Sequence, residues 1–307
     1  MRLFHLLASH DTDSRTGVPR WSGLFRDVFP ETFNVTPGTV DAIEWREGDV
    51  CVTDNHLSLL VPDSVRTVVA HHGCAPYHYA VDPSWRNVET LRMAADQRLM
   101  FLRPNRVYVA PSSWVADRFA EVRQKDPKGP LTPTWIVPYW VPMIPRVDNR
   151  KFDRAWAGPG PDDWYKYEVP RRGVVIGDWR TANKGRDLWR EVAALAPEFE
   201  FRQLDFDGDA ARRLAYQAAD AYLCLSLSEG GSLAMCDAEA ASLPIVSTAC
   251  GNVREFEPYV TEREPEKIAA VLRVALLNGR QRPSFYETWT REKFVGAWRR
   301  VIEEARR

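Results

Sequence analysis

Residues 218–248 read AADAYLCLSLSEGGSLAMCDAEAASLPIVST, and this stretch indicates the fold more clearly than any other part of the chain. An apolar run at 221–226 is typical of a buried strand, a Ser-Glu-Gly-Gly turn follows it, and a helical pattern occupies 232–241. A second apolar run is entered through Pro244 and predicts another strand at 244–248. The stretch therefore predicts a strand–turn–helix–strand unit.

The turn in this unit has the chemistry of an anion site. A glycine turn that opens a helix leaves free backbone N–H groups at the helix N-terminus, which suits a diphosphate. Glu229 lies on the turn and Asp237 follows about two helical turns later, so both carboxylates can face one cleft. Acids at this spacing can hold sugar or ribose hydroxyl groups by charge-assisted hydrogen bonds. A capped helix with a solvated acidic face explains the same residues without any ligand.

Short apolar runs alternate with helical patterns on both sides of this unit. Strands are predicted at 3–8, 50–53, 67–70, 106–110, 134–138, 173–179, 200–204, 221–226 and 244–248. Strands that alternate with helices form parallel sheets. Six prolines between 138 and 170 interrupt the pattern, which predicts a crossing between two domains. We therefore expect an α/β protein with two Rossmann-like domains, and a final helix near the end of the chain.

Composition narrows the functional classes. A chain of 307 residues is long enough for two domains of about 150 residues each. Its net charge of −1 does not favour binding to nucleic acid. The five cysteines are odd in number and contain no C-x-x-C pair, which argues against a disulfide framework and favours a reducing cytoplasm. No apolar run approaches the roughly 18 residues of a membrane span, so we expect at most peripheral contact with a membrane.

The unit around the turn resembles the donor-site signature of the retaining family 4 glycosyltransferases, which have the GT-B fold. The matching positions are Tyr216, Ala219, Asp220, Ser226, Glu229, Gly230, Pro244, Ile245, Val246 and Ser247, with Asp237 where the family has a second glutamate. The resemblance implies an acceptor domain at 1–145, a donor domain at 146–285, and a C-terminal helix at 286–307 that packs back on the N-terminal domain. The two domains then face each other across a cleft.

Other segments resemble the family in the expected order. The run from Gly177 to Gly185 is similar to the family turn whose arginine and lysine neutralise the donor diphosphate. The segment at 68–73 is similar to a strand end where a histidine lies near the transferred sugar. The resemblance thus implies that His72, Glu229, Arg180 and Lys184 are catalytic, and that donor-binding residues are Gly17, Gly230, Gly231, Ser232, Leu233 and Asp237.

Three departures from the family pattern stand out. Asp237 is one methylene shorter than the glutamate it replaces, so its contact with a hydroxyl group must form differently. Gly231 stands where the family has an aromatic or aliphatic residue. One predicted strand, rather than two, separates the helix after Lys184 from Tyr216, and the missing piece is where the family usually holds the base.

The resemblance implies the transfer of a sugar, with retention, from a nucleotide sugar to a glycan, lipid-linked or other hydroxyl acceptor. It implies no metal and no further cofactor, because the departing diphosphate is neutralised by cationic side chains and takes the acceptor proton itself. We expect a cytoplasmic protein, at most associated with the cytoplasmic face of a membrane. A sugar-nucleotide epimerase and a non-catalytic module that binds nucleotide sugars or glycans remain open as alternatives.

A metal site is a further alternative. His71, His72 and His78 could serve a phosphohydrolase, although the H-x-x-x-H spacing of a helical metal site is missing. Of the adjacent pair, His72 fits the family better, and His71 is expected to point the other way because side chains alternate along a strand. The acidic run 205–209 could be a D-x-D metal motif, but turn and N-cap chemistry explain it more simply. Asp54 follows a strand end and could line the same cleft.

Overall fold

The computed structural model describes residues 2–7, 17–125, 135–145, 173–204, 208–280 and 282–307. The predicted crossing, with its prolines at 159, 161 and 170, lies outside these residues, and so do Asp205 and Asp207 of the acidic run. Within the described part of the chain, no helix has the length and apolar character that a membrane span requires. All five cysteines are buried and free.

Six parallel strands form the first sheet, in the order β2-β1-β3-β4-β5-β6. The strands are β1 Leu3–Leu6, β2 Phe33–Val35, β3 Val50–Asp54, β4 Arg66–Ala70, β5 Arg106–Ala110 and β6 Trp135–Ile136. The α-helices between them are α1 Gly17–Val28, α2 Ala75–Val81, α3 Val88–Met100 and α4 Ser113–Lys125. Short 3-10 turns occupy Val40–Ala42, Asn55–Leu60 and Pro83–Trp85. The central strands β3 and β4 are almost wholly buried, as strands covered on both faces are.

Five parallel strands form the second sheet, in the order β11-β10-β9-β7-β8. The strands are β7 Gly173–Gly177, β8 Phe199–Gln203, β9 Ala221–Cys224, β10 Ile245–Ser247 and β11 Tyr259–Val260. The helices are α5 Leu188–Leu195, α6 Gly208–Ala218, α7 Leu233–Ala240, α8 Val253–Phe256 and α9 Pro265–Asn278. As the sequence predicts, β8 is the one strand between α5 and α6 in the described part of the chain.

The chain then returns to the first sheet through α10 Phe285–Thr288 and α11 Arg291–Arg306. Helix α11 packs on β3, β4 and β5, so the C-terminal helix lies on the N-terminal domain. Its buried side chains are Phe294, Ala297, Trp298, Val301, Ile302 and Ala305. The ring of Trp298 lies 5.1 Å from that of Phe25 and 5.8 Å from that of Trp21 in α1. The i, i+4 spacing of its apolar residues gives α11 one face for this contact.

Side-chain caps fix where some helices begin. The Asn87 side chain accepts a hydrogen bond from the Thr90 N–H at 2.8 Å and starts α3. Ser284 and Glu287 form a reciprocal capping box at the start of α10. Such caps satisfy backbone donors that a helix end would otherwise leave unpaired. The capping box therefore sets the point at which the chain turns back to the first sheet.

His71 lies in an apolar cluster at the end of β4, facing away from its neighbour His72. Its ring is 5.6 Å from Phe101, 5.7 Å from Tyr108 and 4.6 Å from Phe119. Neither ring nitrogen has a hydrogen-bond partner among the described residues. Burial, together with the adjacent His72, lowers the pKa of His71 to about 3. The side chain is therefore neutral in the folded protein.

This cluster predicts a loss of stability in acid. The unfolded chain takes up a proton at His71 near pH 6.5, whereas the folded chain does not until about pH 3. The free energy of unfolding should therefore fall by up to about 1.4 kcal/mol per pH unit below pH 6.5, and stay level above it. Urea unfolding of the wild type and of His71→Leu at pH 7.5 and 5.5 measures this. Equal pH dependence in both proteins would contradict the assignment.

Candidate donor site

A glycine turn (residues 228–231) connects β9 to α7 and lies directly against the N-terminal domain. Ser112 Oγ donates to the carbonyl oxygen of Gly230 at 3.2 Å. The Ser228 hydroxyl group lies 2.9 Å from Nδ1 of His78. The turn therefore lies at the carboxyl end of β9 and in the interface between the domains, where ligands of open parallel sheets bind.

The two glycines of the turn permit this close approach. A Cβ atom on Gly230 would collide with the carbonyl oxygen of His72. A Cβ atom on Gly231 would come within 2.5 Å of the Tyr139 ring. Because the N-terminal domain is pressed against both positions, neither tolerates a side chain without displacement. This contact explains why Gly231 replaces the larger residue of the family pattern.

Acidic and basic side chains alternate beside the turn. Lys184 Nζ lies 2.9 Å from Oδ2 of Asp178 and 3.2 Å from Oε1 of Glu229. Arg180 Nε donates to Oδ1 of Asp178 at 2.8 Å, and Ser226 Oγ donates to Glu229 at 2.8 Å. The side chains of Arg180 and Lys184 remain 48% and 29% exposed, so an anion can reach both. We name these four charged residues the charge cluster: Asp178, Arg180, Lys184 and Glu229.

Charges within the cluster stabilise one another. The carboxylate of Glu229, and then that of Asp178, raises the pKa of Lys184 although burial opposes this. Burial would raise the pKa of Asp178, but Arg180 and Lys184 lower it overall. Asp178 and Lys184 are therefore ionised at neutral pH. The sequence placed Arg180, Lys184 and Glu229 in the site, and the structure brings them together. The sequence analysis did not identify Asp178 as a site residue, although Asp178 lies inside the 177–185 run.

Helix α7 begins directly after the turn. Ser232 is its N-cap, with its side-chain oxygen accepting the Met235 N–H at 3.2 Å. The backbone N–H of Ser232 donates to Asn252 Oδ1 at 3.0 Å. Leu233, the first residue of the helix, is 6% exposed. The positive end of the α7 dipole therefore lies beside Glu229, where it favours an anion.

Asp237 lies one turn further into α7 and is bound by two arginines. Arg20 Nη1 and Nη2 each donate to one of its carboxylate oxygens at 2.7 Å. Arg212 Nη1 lies 2.5 Å from Oδ1. Arg20 belongs to α1, the helix that begins at Gly17, so the contact joins the two domains. The resemblance assigns Asp237 to donor binding, but both of its carboxylate oxygens are engaged by side chains of the protein. The sequence analysis identified neither arginine.

His72 lies beside the turn, with its carbonyl oxygen against Gly230. Its Nε2 is 3.0 Å from Oδ1 of Asp54, and its Nδ1 is 2.6 Å from the hydroxyl oxygen of Tyr139. The Asn55 side chain accepts the His72 backbone N–H at 3.0 Å. Sequence analysis placed Asp54 near the cleft but gave no signal for Tyr139, which follows the short strand β6.

The positions of the described side chains give little support to the metal sites considered from the sequence. Across the described residues, no three His, Cys, Asp or Glu side chains converge as metal ligands would. Asp209 lies in the first turn of α6 and pairs with Arg212. A cavity of about 340 Å³ beside Arg280 and Arg282 lies at the amino end of β10, away from the glycine turn. The charge cluster is therefore the better candidate for the functional site.

The two-sheet arrangement is similar to that of solved glycosyltransferase structures. Sucrose-phosphate synthase from Thermosynechococcus elongatus superposes with a TM-score of 0.65 and 12% identity, covering 99% of this chain and 95% of that one. HepE of Anabaena, in complex with UDP and glucose, gives 0.64 and 12%, covering 100% and 97%. The pneumococcal O-GlcNAc transferase GtfA, in complex with UDP and GlcNAc, gives 0.54 and 14%, covering 88% and 59%.

These likenesses establish the fold. The chain has the α/β GT-B architecture, with two parallel sheets and alternating helices. No protein-family model and no curated protein matches its sequence.

Proposed function

We propose that the protein is a retaining glycosyltransferase of the family 4 type. It would move a sugar from a nucleoside-diphosphate donor to a hydroxyl group of a glycan or lipid-linked acceptor. One observation carries this proposal: the charge cluster stands beside the glycine turn and the start of α7, with two cations partly exposed. The GT-B fold supports it, because the similar structures include glycosyltransferases in complex with UDP and a sugar.

The cluster suits a leaving group with negative charge. Arg180 and Lys184, together with the N-terminus of α7, would neutralise the departing diphosphate. Asp178 contacts both cations and holds them in one orientation. Fixed cations here do the work that a divalent ion does elsewhere, so the proposal includes transfer without a metal.

Glu229 is suited to binding the donor sugar. Lys184 and Ser226 both contact Oε1 of its carboxylate, and a carboxylate held in this way is suited to accept hydrogen bonds from sugar hydroxyl groups. The diphosphate itself would then accept the proton of the acceptor on the face it leaves, which retains the anomeric configuration. The protein contributes position and electrostatic stabilisation.

Calorimetry on an Arg180→Ala/Lys184→Ala variant tests the proposal. Wild-type protein is titrated, in EDTA, with UDP, GDP and ADP and with the matching nucleosides. One diphosphate should bind, and each lost charged contact should weaken that binding by roughly 1.5–3 kcal/mol, about one to two powers of ten. Affinity for the nucleoside should hardly change, because it lacks the phosphates.

Arg186→Ala/Arg190→Ala is the matched control. It removes the same charge from the neighbouring segment, where the two side chains are 55% and 66% exposed and both lie near Asp187. Its affinity for the diphosphate should equal that of the wild type. Unchanged affinity for the diphosphate in the Arg180→Ala/Lys184→Ala variant would show that the donor binds elsewhere. If the wild type needed Mg²⁺ to bind the diphosphate, metal independence would be removed from the proposal.

A further inference from the structure

We propose that Asp54 and Tyr139 are positioning residues that clamp His72 and thereby hold the glycine turn in place. This inference rests on the proposed function for its consequence in catalysis. The clamp itself is a set of contacts within the protein, which can be measured without any donor.

The first half of the clamp is a buried charge. Asp54 is 2% exposed and receives a hydrogen bond from Ser22 Oγ at 3.2 Å. Burial would raise the pKa of Asp54, but His5 and His72 hold it well below its usual range. A buried carboxylate keeps its charge only when donors compensate it. His72, whose Nε2 lies 3.0 Å away, therefore carries its proton on that nitrogen.

The second half of the clamp follows from the first. The clamp gives Nδ1 the role of acceptor, and the Tyr139 hydroxyl group, 2.6 Å away, the role of donor. Burial raises the pKa of Tyr139 well above its usual range, so this hydroxyl group keeps its proton. The Trp21 ring lies 4.9 Å from that of His72 in an edge-on contact.

The glycine turn rests on two members of this clamp. The Tyr139 ring lies against Gly231, and the His72 carbonyl oxygen lies against Gly230. A shift of the Tyr139 ring or of the His72 carbonyl group would move the turn, and Glu229 with it. Both ring nitrogens of His72 are committed within the protein. His72 therefore acts on the donor site through Tyr139 and through its own carbonyl group, rather than through a ring nitrogen at the sugar.

Hydrogen–deuterium exchange in Asp54→Asn and Tyr139→Phe tests the clamp. Amides in peptides that span 226–233 should exchange about tenfold faster in both variants than in the wild type. Tyr108→Phe is the matched control, because Tyr108 is also buried and its hydroxyl group donates to the Met100 carbonyl oxygen at 2.9 Å, outside the clamp. Unchanged exchange at the turn in both variants overturns the proposal, and so does an equal increase throughout both sheets.

NMR of protein labelled with ¹⁵N-histidine provides a signature that general destabilisation would not produce. His72, identified by the signal lost in His72→Gln, should show a proton on Nε2 and none on Nδ1. In Asp54→Asn the new amide can donate to Nε2, which moves the proton to Nδ1. A proton on Nδ1 in the wild type would contradict the clamp. Failure of the wild type to bind any nucleoside diphosphate would instead refute the proposed function, while the exchange and NMR results still decide the clamp.

Discussion

Replacing Glu229 with glutamine should lower the rate of sugar transfer by about two to three powers of ten while the protein stays folded. The loss of charge weakens the hydrogen bonds that the carboxylate would make to the donor sugar, and it releases Lys184 from one partner. Folding should change by less than about 1 kcal/mol, because Lys184 is 29% exposed and keeps its contact with Asp178. Steady-state transfer rates and thermal unfolding of the purified variant measure the two effects.

Glu262→Gln controls for the same chemical change in the same domain. Its side chain is 71% exposed and contacts Lys267 at the surface. Transfer by this variant should match that of the wild type. Wild-type transfer by a folded Glu229→Gln variant would refute a role for the charge cluster in the reaction.

Asp237→Asn should lower the free energy of unfolding by roughly 3 kcal/mol. The substitution leaves the Arg20 guanidinium group, which is 20% exposed, without the carboxylate that compensates it. Arg212, which is 13% exposed, loses its contact with Asp237 and keeps its contact with Asp209. If Asp237 instead served mainly to bind the donor, as the family resemblance implies, the variant would keep its stability and lose affinity for the donor. Urea unfolding and calorimetry together separate these outcomes.

Two further variants sharpen this comparison. Asp187→Asn, at a carboxylate that is 71% exposed, should change stability by less than about 0.5 kcal/mol. Arg20→Met combined with Asp237→Asn should lose less stability than the sum of the two single changes, because the double variant no longer contains the uncompensated Arg20. Strictly additive losses would show that the two side chains are not coupled.

The order of strands and helices could be predicted from the sequence because most elements are long enough to show a period. The exceptions are short or irregular. β2 Phe33–Val35 and β11 Tyr259–Val260 have too few residues for an alternation of apolar and polar side chains to appear. Helix α2 spans Ala75–Val81, and in it a proline and two tyrosines obscure the pattern.

The site could be predicted only where it is local in the sequence. Lys184 follows β7 and Glu229 follows β9, and these strands are neighbours in the sheet, so their carboxyl ends meet. The contact between Arg20 and Asp237 spans 217 positions and depends on how the domains dock. The charge of Asp237 alone does not show which arginine pairs with it. Tyr139 was missed for the same reason, since it reaches His72 only through the arrangement of the sheet.

The return of α11 to the first sheet has a consequence for how the protein is made. During synthesis the six strands of the first sheet leave the ribosome before the strands of the second sheet, but the helix that covers β3, β4 and β5 leaves after both sheets. Until then the apolar surface that receives Phe294, Trp298 and Ile302 has no partner from α11. The domain that is synthesised before the other is therefore completed after it.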